Sequence, residues 1–224
     1  CQRKEKAMIL KTKLFGHVYA FQSLKEVMAK ANEEKSGDKL AGLAAESAEE
    51  RVAAKIVLSQ ITLEDLRNHP AVPYETDEVT RIIQDDINES IYREIKGMTV
   101  SDLREWILDE ETTGEMIRRV SRGLTSEMVA AVAKIMSNLD LVYGARKIRV
   151  TAHCNTTIGE EGTLSSRLQP NHPTDDPDGI MASLLEGLTY GAGDALLGLN
   201  PVDDSAESVA RVLHRFEEVK QKHQ

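Results

Sequence analysis

The sequence predicts an α/β protein, with a mainly helical region over residues 1–150 and parallel β/α units over 151–224. Three observations carry that reading. Up to about Val150, apolar residues recur at helical spacing behind good amino-terminal caps. Beyond it, two short strand-like runs each close on a carboxamide and a proline, "SSRLQP" and "LLGLNP". Each is followed by acids and a new helical pattern, so Gln169 and Asn200 hold the same place in units 31 residues apart. Strand and helix alternating at a period of about 30 residues is the pattern of parallel strands.

In chain order, "LFGHVYAF" (Leu14 to Phe21) reads as a short strand pair around Gly16. Ser47 and Glu50 form a capping box ahead of "RVAAKIVLSQI". Thr62, with Glu64 and Asp65, opens a short helix that must stop before Pro70. Thr76 or Asp77 opens a longer one, with Val79, Ile82, Ile83, Ile87 and Ile91 at helical spacing. Asp86 falls on the apolar side of that helix, as a buried acid or one facing a partner. Thr99 or Ser101 begins "DLREWILDE", and Thr125 begins "SEMVAAVAKIMSNL", whose small residues suit close packing.

After Val150, "GTLSSRLQ" reads as a strand closed by Pro170, because proline cannot donate to a ladder and holds its predecessor extended. Asp176 at the N-cap and Pro177 at the first helical position start a helix. Its apolar face is Ile180, Met181, Leu184, Leu185 and Leu188, and it ends at Gly191 or Gly193. "DALLGLN" is a buried-type strand closed by Pro201. Asp204 with Glu207 then starts a helix carrying Val209, Val212, Leu213, Phe216 and Val219.

Composition narrows the function. With 41% hydrophobic and 29% charged residues, the chain is an ordinary globular protein. A net charge of −9 and 4% aromatic residues argue against a nucleic-acid surface, which needs a basic stripe and stacking rings. No apolar run reaches the ~18 residues of a membrane span, and "CQRKEKAMIL" lacks the apolar core of a secretory signal. Two cysteines give no disulfide framework and point to a reducing cytoplasm.

The candidate site lies at the strand ends. Arg167 and Gln169 are two apart, so both project from one face of their strand. Asn200 would join them from the neighbouring strand at the same height. One guanidinium and two carboxamides can hold a small molecule bearing a hydroxyl and an amine, but include no general base. Such a set binds and orients while a cofactor does the difficult chemistry; alternatively, it is a polar network that ties two loops together. Elsewhere, "YGAGDALLG" precedes a strand, whereas a phosphate cradle follows one, so it reads as a helix end and turn. His153 and Cys154 are adjacent and point apart, with no second ligand pair at metal spacing, so no metal is expected. "RRVSRG" reads as solvated surface.

The segments "NTTIGEEGTLSSRLQPN", "YGAGDALLGLNPV", "LTSEMVAAVAKIMSNLDLVYGARK" and "RIIQDDINES" closely resemble the ethanolamine ammonia-lyase large subunit, from about Met8 to the last residue. The resemblance implies a (β/α)8 TIM-type barrel behind a helical region, of which this chain holds the first two β/α units. It implies adenosylcobalamin as cofactor and radical deamination of ethanolamine to acetaldehyde and ammonia. The implied partners are a small subunit and further large subunits in a hetero-oligomer, in the cytoplasm or inside a bacterial microcompartment. By the same resemblance, Arg167 is catalytic and contacts the substrate hydroxyl oxygen, Gln169 and Asn200 bind substrate, and Pro201 lies against the cobalamin. A closed barrel needs eight units and roughly 250 residues, so the chain by itself is expected to be inactive. The competing reading is a non-catalytic helical docking module derived from that enzyme.

Overall fold

A computed structural model describes residues 8–193 and 196–223, and the chain divides into two compact units between Arg149 and Val150. The reading of the first seven residues, and Asp194 and Ala195 of the second strand run, lie outside the described residues.

The first unit opens on an antiparallel hairpin, β1 (Lys11–Leu14) and β2 (His17–Ala20). Leu14 pairs with His17, leaving the two-residue turn Phe15–Gly16 with φ of 48° and 84°. Two positive φ values in a two-residue loop match the twist of the strands, and glycine takes the second without strain. The hairpin therefore starts three residues before the predicted one.

Ten helices follow: α1 (Leu24–Lys30), α2 (Ser36–Leu40), α3 (Ala48–Ser59), α4 (Leu63–Asn68), α5 (Glu78–Asp85), α6 (Glu89–Ile95), α7 (Val100–Leu108), α8 (Gly114–Ser121), α9 (Ser126–Ile135) and α10 (Asn138–Lys147). Apart from α2, each begins on a Ser, Thr, Asp or Asn whose side chain accepts from an amide of the first turn. In α4, α7 and α10 an aspartate three residues on bonds back to the cap amide, closing a full capping box. Helix α3 lies at the centre of the unit, burying Ala53, Ala54, Val57 and Leu58 among Leu63, Leu66, Val100, Leu103, Met128 and Val132. The starts of α4 and α7 are tied together, Leu63 N to Met98 O and Val100 N to Ile61 O, both 2.9 Å.

Three predicted details change. The single long helix from Asp77 is two, because the chain leaves the helix at Asp86 and Asn88 Oδ1 caps a new one. Ile87 turns inward at the break while Val79 and Ile82 face out. Asp86 is correspondingly exposed, 3.7 Å from Arg122, and is not a buried acid. The helix from Thr125 stops at Ile135, and Ser137 caps α10. The Ser47–Glu50 box is only half formed: Ser47 accepts from Glu50 N, but the Glu50 carboxylate takes the Glu46 amide and the Lys30 ammonium.

The second unit begins with an unforeseen antiparallel pair, β3 (Ala152–His153) and β4 (Thr157–Ile158). Then come β5 (Arg167–Leu168), α11 (Pro177–Thr189), β6 (Leu196–Leu197) and α12 (Ala206–His223). Strands β5 and β6 are parallel. Asp176 caps α11 through Gly179 N, with Pro177 in the first turn, as predicted. Helix α12 starts a residue later than expected, with Ser205 Oγ accepting from Ser208 N. Ile180, Met181 and Leu184 of α11 meet Val212 and Phe216 of α12, with Leu168 and Leu197 packed against them. The result is an α/β arrangement of two parallel strands with a helix after each.

Candidate substrate site at the strand ends

Alternation along β5 and β6 sorts the side chains. Leu168 and Leu197, paired across the ladder, face the helices. A Cβ on Gly187 of α11 would come within 2.6 Å of Leu168 Cδ1, so the absence of a side chain there lets helix and strand approach. Arg167 and Gln169 belong to the opposite alternation and are exposed, together with Leu196.

The ladder pairs Arg167 with Leu196 and Leu168 with Leu197, and Gly198 N donates to Leu168 O at 2.9 Å. Continued, that register sets Gly198 beside Gln169 and carries Asn200 two positions beyond. The expectation that Gln169 and Asn200 stand at one height is therefore corrected. The carboxamide-proline pattern repeats every 31 residues, whereas ladder partners are 29 apart, from Arg167 to Leu196. Two residues of rise move Asn200 roughly 6–7 Å toward the carboxyl end.

Gly198 gives Arg167 its seat. A Cβ at this buried glycine would stand 2.5 Å from Arg167 Nε and 2.9 Å from Cζ. Its φ is not positive, so the requirement is for room and not for backbone freedom. The guanidinium thus lies across the backbone of β6, on the face that Gln169 shares. Pro170 after Gln169 is fully buried and Pro201 after Asn200 half-buried, so both prolines fix the departing chain.

Sequence reasoning missed Asp175. The pattern marks Asp176 as the cap of α11 and assigns its neighbour no role. Asp175 is 3% exposed, with φ of 52°, and from just before α11 its carboxylate reaches the loop after β6. Val202 N donates to Oδ2 at 2.9 Å and to Oδ1 at 3.1 Å, and Asp203 N to Oδ2 at 2.7 Å. The amides of Asp203 and Val202 hold the carboxyl below the usual aspartate range. The available signal was the second aspartate directly before an N-cap.

The remaining candidates are settled locally. His153 Nδ1 is 3.2 Å from Thr157 Oγ1 in the small hairpin, and Cys154 is exposed in its turn. Gly191 and Gly193 take φ of 74° and 85° in the turn after α11. Arg118, Arg119 and Arg122 line an open cleft of about 680 Å³ with Lys147 and Arg149. Arg119 there is bound by Glu94 at 2.8 Å, and Lys147 donates to Ile107 O at 3.2 Å.

The fold is that of an α/β protein in which two parallel strands are each followed by a helix, with Arg167 on the first strand and Gln169 and Asn200 in the segments that leave the two strands. Residues 19–224 match the family described as ethanolamine ammonia lyase large subunit, and the chain belongs to that family. It is 57% identical over 206 residues to the ethanolamine ammonia-lyase large subunit of Escherichia coli K12, and equally to that of Salmonella typhimurium LT2. Each match covers 92% of this chain and 46% of the relative, so the chain spans a little under half the length of these relatives.

Proposed function

We propose that this chain carries part of the substrate site of an adenosylcobalamin-dependent ethanolamine ammonia-lyase, which converts ethanolamine to acetaldehyde and ammonia. The observation that supports this best is the Arg167 guanidinium seated on Gly198, beside Gln169 and below Asn200 at the strand ends. Parallel α/β folds keep their chemistry at that end. The family's barrel would extend β5 and β6 into a closed sheet, with a small subunit and further large subunits completing the enzyme.

The residues do the work of holding. Arg167 would direct the planar fork of its guanidinium at the substrate hydroxyl oxygen, steadying negative charge there as the amino group migrates. Gln169 and Asn200 can each accept from the amino group through one amide atom and donate to the hydroxyl through the other. None of the three can act as a general base. That donor set fits a cofactor that supplies the reactive group, and Pro201, half-buried next to Asn200, would be the residue that lies against it. The cobalamin, when bound, supplies the radical that removes a hydrogen atom from the substrate.

Arg167 is the test. In the complete enzyme, Arg167→Ala should cost about 1.5–3 kcal/mol of transition-state binding, the worth of a charge-assisted hydrogen bond. The loss should appear in kcat as well as KM, because the contact strengthens during migration. Added guanidinium should restore part of the rate, and Arg167→Lys should recover less than its charge suggests. Near-normal kcat and KM in Arg167→Ala would reduce this residue to a strand-end structural group.

A further inference from the structure

We propose that Asp175 is the positioning residue for Asn200, holding the Asn200–Pro201 segment in place from the neighbouring β/α unit. The inference rests on the reading of Asn200 as a substrate ligand. It begins with what proline lacks. Pro201 has no N–H, so the first backbone donor after Asn200 is Val202 N, and Asp175 takes it together with Asp203 N. On the other side of Asn200, the nearest ladder bond is Gly198 N to Leu168 O. Asn200 therefore sits between two backbone anchors, and both acceptors, Leu168 O and the Asp175 carboxylate, belong to the β5 unit that carries Arg167 and Gln169.

Local structure is bent to make this clamp. Asp175 N donates to His172 O at 3.1 Å, closing a turn, and Asp175 adopts a left-handed φ that aspartate tolerates better than most residues. That conformation separates the two adjacent acids: Asp176 caps α11, while Asp175 crosses to the other loop. Asp203, once held, accepts from Ser205 N at 2.9 Å, and Ser205 in turn caps α12. A buried carboxylate that accepts three hydrogen bonds from two amides is a rigid anchor, and those bonds favour its ionised form. The clamp thus fixes the distance between the donor on β5 and the carboxamide on the β6 loop.

The experiment uses the complete enzyme with its small subunit and cofactor. Asp175→Gly removes the carboxylate while keeping a residue suited to positive φ, and Asp175→Asn keeps one acceptor oxygen. Hydrogen exchange at Val202 and Asp203 should quicken at least tenfold in Asp175→Gly and less in Asp175→Asn. In Asp175→Gly, kcat/KM for ethanolamine should fall about tenfold, mostly through KM, and combining it with Asn200→Ala should add little to Asn200→Ala alone. Unchanged exchange in both variants would remove the clamp. Faster exchange with normal ethanolamine kinetics, where Asn200→Ala is slow, would overturn the positioning role alone. Normal kinetics in Asn200→Ala would instead defeat the reading of Asn200, and the positioning role with it. Should Asp175→Gly fail to fold, the same outcomes are read from Asp175→Asn against the parent enzyme.

Discussion

The contact between Arg167 and Gly198 is where residue chemistry and backbone geometry meet most closely. Gly198→Ala would push a methyl group into the guanidinium, and a long side chain can swing away at little cost in stability. We expect a melting temperature within a degree or two of the parent and a clear loss of ethanolamine turnover. A double-mutant cycle gives the sharper measure, because residues acting through one contact are not additive. Gly198→Ala combined with Arg167→Ala should be no slower than Arg167→Ala alone. Additive losses would mean that Gly198 matters for another reason, such as close approach of a ligand to the strand.

At the scale of elements, the helical unit depends on its caps. Asp140 closes the box with Ser137 and also binds Arg104 at 2.6 Å; that side chain, then the Ser137 amide, hold its pKa down. Asp77, Asp102 and Asp175 are also depressed, each by hydrogen bonds to its ionised form. A depressed folded-state pKa contributes stability above the unfolded value of about 3.9 and loses it as pH falls through the folded value. The melting temperature should therefore hold down to about pH 4 and fall below it. Thr99→Ala should cost about 1 kcal/mol in a denaturant titration, and Leu58→Ala at the centre of α3 about 2–5 kcal/mol. The caps Thr62, Thr125 and Asp176 were legible in the sequence, and Asp77 and Thr99 each as one of two choices, as were the crossover helix and the parallel pair; Ser137 was not, because the helical pattern from Thr125 ran through it. The break at Ile87 was not, because apolar spacing continued through it while Asn88 capped a new turn. The ladder register was not legible either. A repeated carboxamide-proline says where chains turn, and pairing is decided by how Leu168 and Leu197 fill the space beneath the helices. Asp175 was hidden for a related reason: its partners are backbone amides 27 and 28 residues away, which side-chain pattern does not reveal.

Across the whole molecule, the two units are unequally furnished. The first buries a broad apolar cluster around α3, and the second a small one of Ile180, Met181, Leu184, Val212 and Phe216. Leu185, Leu196 and Leu213 stay 44%, 49% and 49% exposed, and an apolar groove of about 710 Å³ runs past Leu188, Leu197 and Phe216. In the 224-residue chain alone, amides of α11 and α12 should exchange much faster than those of α3 and α9, and should slow in the complete subunit. Equal protection in the two units would show that the second needs no further β/α neighbours. The proposal that this sequence serves ethanolamine deamination as part of a larger enzyme is tested most directly by turnover. Acetaldehyde release from ethanolamine would be measured with adenosylcobalamin for the complete large subunit plus small subunit, and for this chain alone. We expect cofactor-dependent release from the complete enzyme and none from the chain. Failure of the complete, cofactor-loaded enzyme to release acetaldehyde would contradict the account and leave a non-catalytic docking module in its place.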